Sequence, residues 1–464
     1  MKYIEKKKRG IQFHISTTFA IVGFCIFSFL LMPLYQAFQK DLLVGVQFLL
    51  IGFISISALF LENEKRSFSL SMSVYFFCYL FFYCAALFEF VNDRFQWYMF
   101  PSASEIIISN NIVLLGIICF IIGNQRYFKF SKVRNSVKID KIRMWVIYLI
   151  LVILTGYLFY LLSTMSIGEF FVRASFEKSN LSSQSLSLIR DSFRNGAALI
   201  CSLSLIRNFK MKKNFHHFLL MLYSLILSFF LIPPTGVARF LAGAFYGSLF
   251  LYSFPSLRKG KKFLFLMFFF ILIIFPLLNN FRYVNTNNEL EIFDIINGLN
   301  KNFQEADFDA YTMLIYTVRY VSDYGISFGR QFLGVILFFL PRTMWEGKPI
   351  GSGNTIVDYL LIPIHGNVSN PFLAEFYINF GFFGVIFCSI LMGCLFKTID
   401  KIYWNVSDED EGFIKYFYPF LSLITIFFCR GDMLSSYSFT IGTLVAAYIS
   451  FKCIYSKSKG MKSI

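Results

Sequence analysis

The sequence predicts an all-α integral membrane protein with about twelve transmembrane helices. Hydrophobic residues make up 56% of its 464 residues, and its mean hydropathy is +0.61. Apolar runs of about 20 residues, the length that crosses a hydrocarbon core of about 30 Å as a helix, recur between short polar breaks. The alternation typical of outer-membrane barrel strands is absent, so helices are the expected spanning elements.

The apolar runs indicate a single polytopic domain over residues 1–464. Two large loops, 163–194 and 279–371, are expected on the non-cytoplasmic side, and the second contains a short apolar segment at 331–341. The predicted spans are 15–35, 42–61, 68–89, 105–124, 144–163, 194–206, 217–233, 238–256, 263–280, 372–396, 413–430 and 435–453.

The distribution of charge predicts the orientation. With a cytoplasmic N-terminus, the cytoplasmic segments carry 29 of the 43 Lys and Arg residues, so the positive-inside rule places both termini in the cytoplasm. The net charge of +16 therefore reflects topology and gives no case for a nucleic-acid partner, and "MKYIEKKKRG" is an orientation signal beside membrane lipid. All nine cysteines fall in apolar spans, so neither an exported disulfide nor a zinc site is expected.

Arginine replaces lysine as the main cation on the predicted outer side. The cytoplasmic segments hold 7 Arg and 22 Lys, whereas the other side holds 10 Arg and 4 Lys. Topology treats both cations alike, but a guanidinium binds phosphate through two parallel bonds and stays charged when partly dehydrated. The pattern favours a phosphate-bearing ligand there, although arginines near helix ends also snorkel or pair with acids.

Several outer arginines lie where an anion would fit. Arg239 follows the turn "PPTGVAR" at the start of a span, where the helix dipole favours an anion. Arg190 and Arg194 share a helical face and repel each other unless an anion lies between them, since Asp191 is expected to point elsewhere. A plain surface helix is an equal interpretation of that pair. In "RGDMLSS", Arg430 and Asp432 are interpreted as a boundary pair or an anion ligand.

The stretch "GRQFLGVILFFLPRTMWEGKPIGSG" contains an apolar run that is too short to cross a bilayer. As a helix, Phe332–Leu340 would reach about 14 Å, against a hydrocarbon core of about 30 Å. We expect it to lie in or re-enter the outer leaflet and to hold Arg330, Arg342 and Lys348 at headgroup depth. The alternative is a loop helix that covers the bundle.

The segments "FFLPRTMWEGKP", "GNVSNPFLAEFYINFGFFGVIF", "PPTGVARF" and "FFCRGD" resemble the Wzy-type O-antigen polymerases, or oligosaccharide repeat-unit polymerases. The likeness covers the topology of the whole chain and the local pattern mainly from 233 to 435. It implies a bacterial inner-membrane enzyme that joins undecaprenyl-diphosphate-linked repeat units at the outer face without metal, nucleotide sugar or other cofactor. A flippase and a chain-length regulator are the implied partners. Of the family's two Arg-x10-Gly motifs, Arg342 and Gly353 match one, and loop 163–194 lacks the other.

Such a reaction develops negative charge on a leaving diphosphate, which guanidinium groups stabilise. Arg342 is therefore a candidate catalytic residue. The candidates for binding pyrophosphate or substrate are Arg173, Arg190, Arg194, Arg239, Arg330, Lys348 and Arg430. The accepting hydroxyl needs a base, for which we consider His365, the only predicted outside histidine, and Glu375, at a position that the family pattern also makes acidic.

Three alternatives stay open. Glu305, Asp307 and Asp309 offer oxygen ligands for a metal, although we expect this acidic stretch to be solvated surface. A flippase or other transporter of the same oligosaccharide would carry charges within its spans, whereas the predicted spans carry them near their ends. An O-antigen ligase would use the same donor with a lipid A core acceptor, and the sequence separates it poorly from a polymerase.

Overall fold

The computed structural model describes residues 30–96, 100–128, 139–171, 184–274, 308–361, 368–405 and 412–457, which form a helical bundle with two short strands. The first helices are α1 (Leu42–Lys65), α2 (Leu70–Phe77), a π-helix (Cys78–Ala85), α3 (Ala86–Val91), α4 (Ala103–Asn124), α5 (Met144–Thr164), α6 (Ile167–Phe170), α7 (Gln184–Lys212) and α8 (Phe215–Leu231). The next are α9 (Arg239–Ser253), a 3-10 helix (Pro255–Arg258), α10 (Lys262–Phe269), a second π-helix (Phe270–Ile274), α11 (Ala310–Tyr324) and α12 (Arg330–Ile336). The last elements are α13 (Ser352–Leu360), α14 (Phe372–Asn405), α15 (Phe413–Arg430) and α16 (Met433–Ile454), with strands β1 (Ile139–Ile142) and β2 (Tyr455–Lys457).

Among the described residues, seven helices are long and apolar enough to cross a membrane: α1, the continuous α2 to α3 segment, α4, α5, α14, α15 and α16. Each coincides with a predicted span, which supports the predicted class of all-α membrane protein. Helices α8 and α9 also match predicted spans but have only 17 and 15 residues. The first predicted span lies mostly outside the described residues, and its described end is helical.

Helix α7 differs most from its predicted span. It runs for 29 residues from Gln184 to Lys212, whereas the predicted span begins at 194. Arg190 and Arg194, which the sequence placed on one helical face at the end of loop 163–194, therefore lie within this longer helix. The helix packs closely on α16, because a Cβ at Gly196 would lie only 2.6 Å from the Ala447 amide nitrogen.

One end of the bundle gathers segments that the sequence assigns to the cytoplasm. The Ser67 hydroxyl donates to the Arg258 carbonyl (2.8 Å), and the Leu70 amide donates to Asp400 (2.9 Å). Strands β1 and β2, which the sequence did not predict, pair antiparallel there. Their pairing joins the segment before α5 to the chain that leaves α16, so these two segments lie on the same side, as the predicted topology requires.

The opposite end gathers segments that the sequence assigns to the outside, and we call it the arginine-rich end. It comprises residues 91–96, 232–239, 308–361, 368–375 and 430–433. Among the described residues, the Arg430–Asp309 ion pair (3.0 Å) connects two of its segments. Two more ion pairs join it to neighbouring residues: Lys40 with Asp93 (2.5 Å) and Arg319 with Glu105 at the start of α4 (2.5 Å).

The orientation of these two ends can be tested by labelling single cysteines with a membrane-impermeant reagent. Glu346 and Lys259 are exposed at opposite ends. In a background that lacks the exposed Cys453, we expect Glu346→Cys to be labelled in intact cells and Lys259→Cys only after permeabilisation. Labelling of Lys259→Cys in intact cells would contradict the predicted topology.

Candidate functional site

Glu375 lies in a buried polar cluster at the start of α14, where it is 2% exposed. Its carboxylate accepts hydrogen bonds from the Ser352 hydroxyl and from the Met433 amide, the latter at 2.8 Å. Asn370 donates to the Ser352 oxygen (2.9 Å), and a carboxylate oxygen of Asp432 lies 3.4 Å from it. We call Ser352, Asn370, Glu375 and Asp432 the Ser352 cluster. The Ser352 hydroxyl has one proton to donate, and two carboxylates, those of Glu375 and Asp432, can accept a hydrogen bond from it.

Two glycines allow α13 to approach this cluster. The Gly353 amide donates to Asp432 (3.1 Å), and a Cβ at this position would lie 2.5 Å from the Val368 carbonyl oxygen. A Cβ at Gly351 would overlap the Asp432 carboxylate. Close packing thus requires glycine at both positions, which gives a structural reason for the glycine found eleven residues after Arg342.

Arg430, the last residue of α15, forms an ion pair with Asp309, which also accepts a hydrogen bond from Ser369 (2.5 Å). Asp309 is only 2% exposed. The expectation of a solvated acidic stretch is therefore wrong at this residue, because α11 begins immediately after it and packs into the bundle. The interpretation of Arg430 and Asp432 as a boundary pair is also wrong. Asp432 instead caps α16 through the amide of Ser435 (3.1 Å).

Arg330, Arg342 and Lys348 come together in a single loop, as the sequence predicted. Each donates to carbonyl oxygens of that loop: Arg330 to Gly347, Arg342 to Lys348 and Pro349, and Lys348 to Phe338 and Leu340, at 2.6 to 3.2 Å. Partial burial and the nearby Arg342 lower the pKa of Lys348. Arg342 is exposed and uses only two of its five N–H donors in these bonds.

The apolar run at 332–340 forms a seven-residue helix, α12, followed by turns. The Phe332 ring stacks on Phe380 (5.8 Å between centroids), and Val335 is buried. Ile336 and Phe339 on the other face are 60% and 58% exposed. The segment thus covers the bundle with one face and turns apolar side chains outward with the other. Contact of that outer face with lipid stays a prediction.

Arg239 is the first residue of α9, as predicted, and is 7% exposed. The turn before it is fixed to the end of α6 by a hydrogen bond from Thr235 to the Phe171 carbonyl (2.8 Å). The guanidinium carbon of Arg430 lies 5.4 Å from the centre of the Phe240 ring. Because Phe240 directly follows Arg239, the fold brings two of the predicted phosphate ligands into one region.

Arg190 and Arg194 lie apart from this region, inside the bundle. Asp191 does not point elsewhere, as the sequence suggested: its carboxylate oxygen lies 3.2 Å from Arg194 and 3.6 Å from Arg190. Ser192 packs on Gly442. At 1.5 Å per residue, Gly442 lies about 14 Å along α16 from the first residue of that helix. Arg194 is 5% exposed, so the surface-helix interpretation is wrong for it. Helix α7 is not among the seven helices that could cross a membrane, so the predicted confinement of charges to the ends of the spans stays a prediction.

Four residues considered in the sequence lie outside the described residues. They are Arg173, His365, Glu305 and Asp307. Their predicted roles stay predictions.

The Ser352 cluster has the composition of an acid–base site. Burial raises the pKa of Asp432, because the ionised carboxylate loses its hydration there. Two buried carboxylates beside one hydroxyl favour a state in which one carboxyl holds a proton and the other is ionised. The ionised member can accept a proton from a hydroxyl group, and the Ser352 hydroxyl occupies that donor position in the structure.

Sequence reasoning missed Ser352 and Asn370 and assigned no acid–base role to Asp432. Serine and asparagine are common in loops and carry no distinctive spacing here. A usable signal was the glycine pair that flanks Ser352 in "GSGN", which indicates a close backbone approach. Asp432 precedes an apolar run at a position typical of a helix cap, so the sequence predicts a capping role and gives no sign of its contact with Ser352.

The ion pair between Arg430 and Asp309 should contribute measurably to stability. Arg430→Gln removes the guanidinium from a carboxylate that is almost fully buried, so we expect a loss of about 3–5 kcal/mol in the free energy of unfolding. Denaturant unfolding of the purified protein in detergent measures this loss. The double variant with Asp309→Asn should recover part of it, and an Arg430→Gln variant as stable as the unmodified protein would contradict the assignment.

Among the residues that the structure describes, no group of three or more His, Cys, Asp or Glu side chains is arranged to hold a metal ion. Comparison with known proteins gives no match to a family model, to a curated protein or to a solved structure. The function is therefore argued from the residues of this chain.

Proposed function

We propose that the chain is a glycosyltransferase of the outer face of the bacterial inner membrane, an O-antigen polymerase type of enzyme. It would join undecaprenyl-diphosphate-linked oligosaccharide repeat units into a surface polysaccharide. The observation that carries the proposal is the concentration of arginine at the end of the bundle that also buries Glu375 beside a hydroxyl group. A diphosphate leaving group and an activated hydroxyl are what a reaction of this kind requires.

In the proposed reaction, a hydroxyl of the acceptor unit attacks the anomeric carbon of the donor chain. The bond from that carbon to the diphosphate oxygen breaks, a new glycosidic bond forms, and undecaprenyl diphosphate leaves. The proton of the attacking hydroxyl passes to a carboxylate. The arginines offset the charge that develops on the leaving diphosphate, so no metal ion is needed.

Glu375 is the base in this scheme, with His365 as the alternative. Ser352 supports the first assignment, because its hydroxyl donates to Glu375 as an acceptor sugar hydroxyl would. The cluster is closed in the structure, so a sugar can reach Glu375 only if the short helix α13 moves away from it. The Met433 amide would keep the carboxylate oriented during that movement, since it lies on another segment.

Arg342, Arg239 and Arg430 are the proposed ligands of the diphosphate, with Arg173 as a further candidate. Arg342 keeps unused donors and is exposed, whereas Arg239 and Arg430 are held in place by burial and by Asp309. Arg330 and Lys348 would fix the loop that carries Arg342. The proposed partners are the flippase and the chain-length regulator of the same pathway.

A transporter of lipid-linked oligosaccharide is the second candidate, and one observation favours it. The charged group of Arg190, Asp191 and Arg194 lies well inside the bundle, and charges at such depth often mark transport paths. An O-antigen ligase remains the alternative enzyme, because it would use the same donor.

Deletion of the gene followed by gel analysis of surface polysaccharide separates these functions. For a polymerase, we expect the ladder of long chains to disappear while lipopolysaccharide with one repeat unit remains. Loss of all repeat units from the surface would favour the flippase or the ligase and would contradict the proposal.

A further inference from the structure

An apolar cleft lies between α9, α10 and α15. The empty space in and in front of it, open solvent included, is about 510 Å³. One wall is formed by α9, where the small residues Gly243 and Ala244 line the cleft. Gly247 lies close against α15, since an added Cβ there would be 2.6 Å from Leu423. The facing walls are formed by Leu266, Met267, Phe270, Leu423 and Ile426, among others.

The cleft runs along the bundle and not across it. Phe240 and Leu251 both line it, and they are separated by about 16 Å along α9 at 1.5 Å per residue. The second π-helix begins at Phe270, which also lines the cleft. Such local widening of a helix frequently accompanies a functional site. An elongated apolar cleft of this shape suits a hydrocarbon chain that lies parallel to the helices.

Two arginines lie next to Phe240, which lines one end of the cleft; Arg239 is buried, and the Arg430 side chain is 14% exposed. Arg239 directly precedes Phe240, and Arg430 lies against the face of the Phe240 ring. Both belong to the arginine-rich end. The arrangement therefore combines an apolar channel with a pair of cations at its mouth, as an amphiphile with an anionic head and a long tail would require.

We propose that this cleft holds the first part of the polyprenyl tail of a lipid diphosphate, with Arg239 and Arg430 at its diphosphate. The inference rests on the proposed function, since it places the donor lipid of that reaction. Arg430 is paired with Asp309 in the structure, so a diphosphate at the mouth would share its guanidinium with that carboxylate. The tail would enter from the open side of the cleft between α9 and α10.

The test uses the full-length protein in nanodiscs and undecaprenyl diphosphate that carries a photoreactive group in its first prenyl units. We expect crosslinks to α9 and α10, and a decrease of about tenfold or more when Gly243→Leu fills the cleft. Gly156→Leu on α5 is the matched control, because nothing lies within 4 Å of an added Cβ there. Leu266→Trp fills the cleft from the facing wall, in case Gly243→Leu does not fold.

Crosslinks that persist in folded Gly243→Leu or Leu266→Trp, or that map to other helices, would overturn the inference. Equal competition by phosphatidylglycerol would overturn it too, since it would indicate a site for any lipid. The crosslinking result does not depend on whether the protein forms polymer. Binding in the cleft without polymer formation supports this inference and opposes the proposed function, whereas polymer formation with crosslinks elsewhere does the reverse.

Discussion

Glu375→Gln should lower the rate of polymer formation by about 10²- to 10⁴-fold, the usual contribution of a general base. Glutamine keeps an oxygen that can accept hydrogen bonds from Ser352 and Met433, so the buried cluster retains its shape. It cannot take up a proton from the acceptor hydroxyl. The measurement is the initial rate of chain extension at several pH values, together with the thermal stability of each variant.

Asp432→Asn is the matched control within the same cluster. Asparagine keeps one side-chain oxygen, which can still cap α16 through the Ser435 amide, but it removes a carboxylate from the cluster. We expect a smaller loss of rate than in Glu375→Gln, and a pH profile in which the limb of the base is kept but moves to lower pH, because the neighbouring carboxylate is gone. In Glu375→Gln, by contrast, the limb of the pH profile that belongs to the base should be lost. A rate for Glu375→Gln within a few-fold of the unmodified protein would remove Glu375 from the mechanism.

Arg342→Lys should lower the rate by about 10²- to 10³-fold, the loss that follows removal of a well-placed donor to a developing negative charge. Lysine keeps the charge but lacks the planar fork that grips a diphosphate through two bonds. It can still donate to the carbonyl of Lys348 or Pro349, so the loop should remain folded. Chain extension by purified variants at equal protein concentration measures the effect.

Arg94→Lys is the control, because Arg94 lies at the same end of the bundle but outside the proposed site. We expect it to retain nearly full activity. If Arg342→Lys is tolerated equally well, Arg342 only stabilises its loop or contacts the membrane surface, and the proposed contact with diphosphate is wrong.

The spans were predictable where hydrophobicity alone decides, as in α1, α4 and α5. At α7 the predicted span began at 194 and not at 184, because the charged residues Arg190, Asp191 and Arg194 interrupt the apolar run there. The Asp191 carboxylate lies within 3.6 Å of both neighbouring arginines there, and that contact depends on side-chain direction more than on spacing. Strands β1 and β2 failed for a related reason, since neither segment has a strand pattern strong enough to indicate pairing across more than 300 residues.

The sequence predicted charged residues of the candidate site but not the side chains that they contact. The excess of arginine identified Arg430, and the family pattern identified Glu375. The partners of these residues come from segments far apart in the sequence: Asp309 lies 121 residues from Arg430, and Ser352 lies 23 residues from Glu375. Long-range pairings of this kind follow from the packing of the helices and have no local signal.

The proposed metal-independent polymerase activity is best tested by chain extension with the purified protein in proteoliposomes that contain undecaprenyl-diphosphate-linked repeat units. We expect a ladder of longer chains and release of undecaprenyl diphosphate in the presence of excess chelator. Movement of the lipid-linked unit across the bilayer without bond formation would contradict it in favour of a transporter. Extension that stops in chelator and returns with magnesium or manganese would contradict the metal-independent role of the arginines.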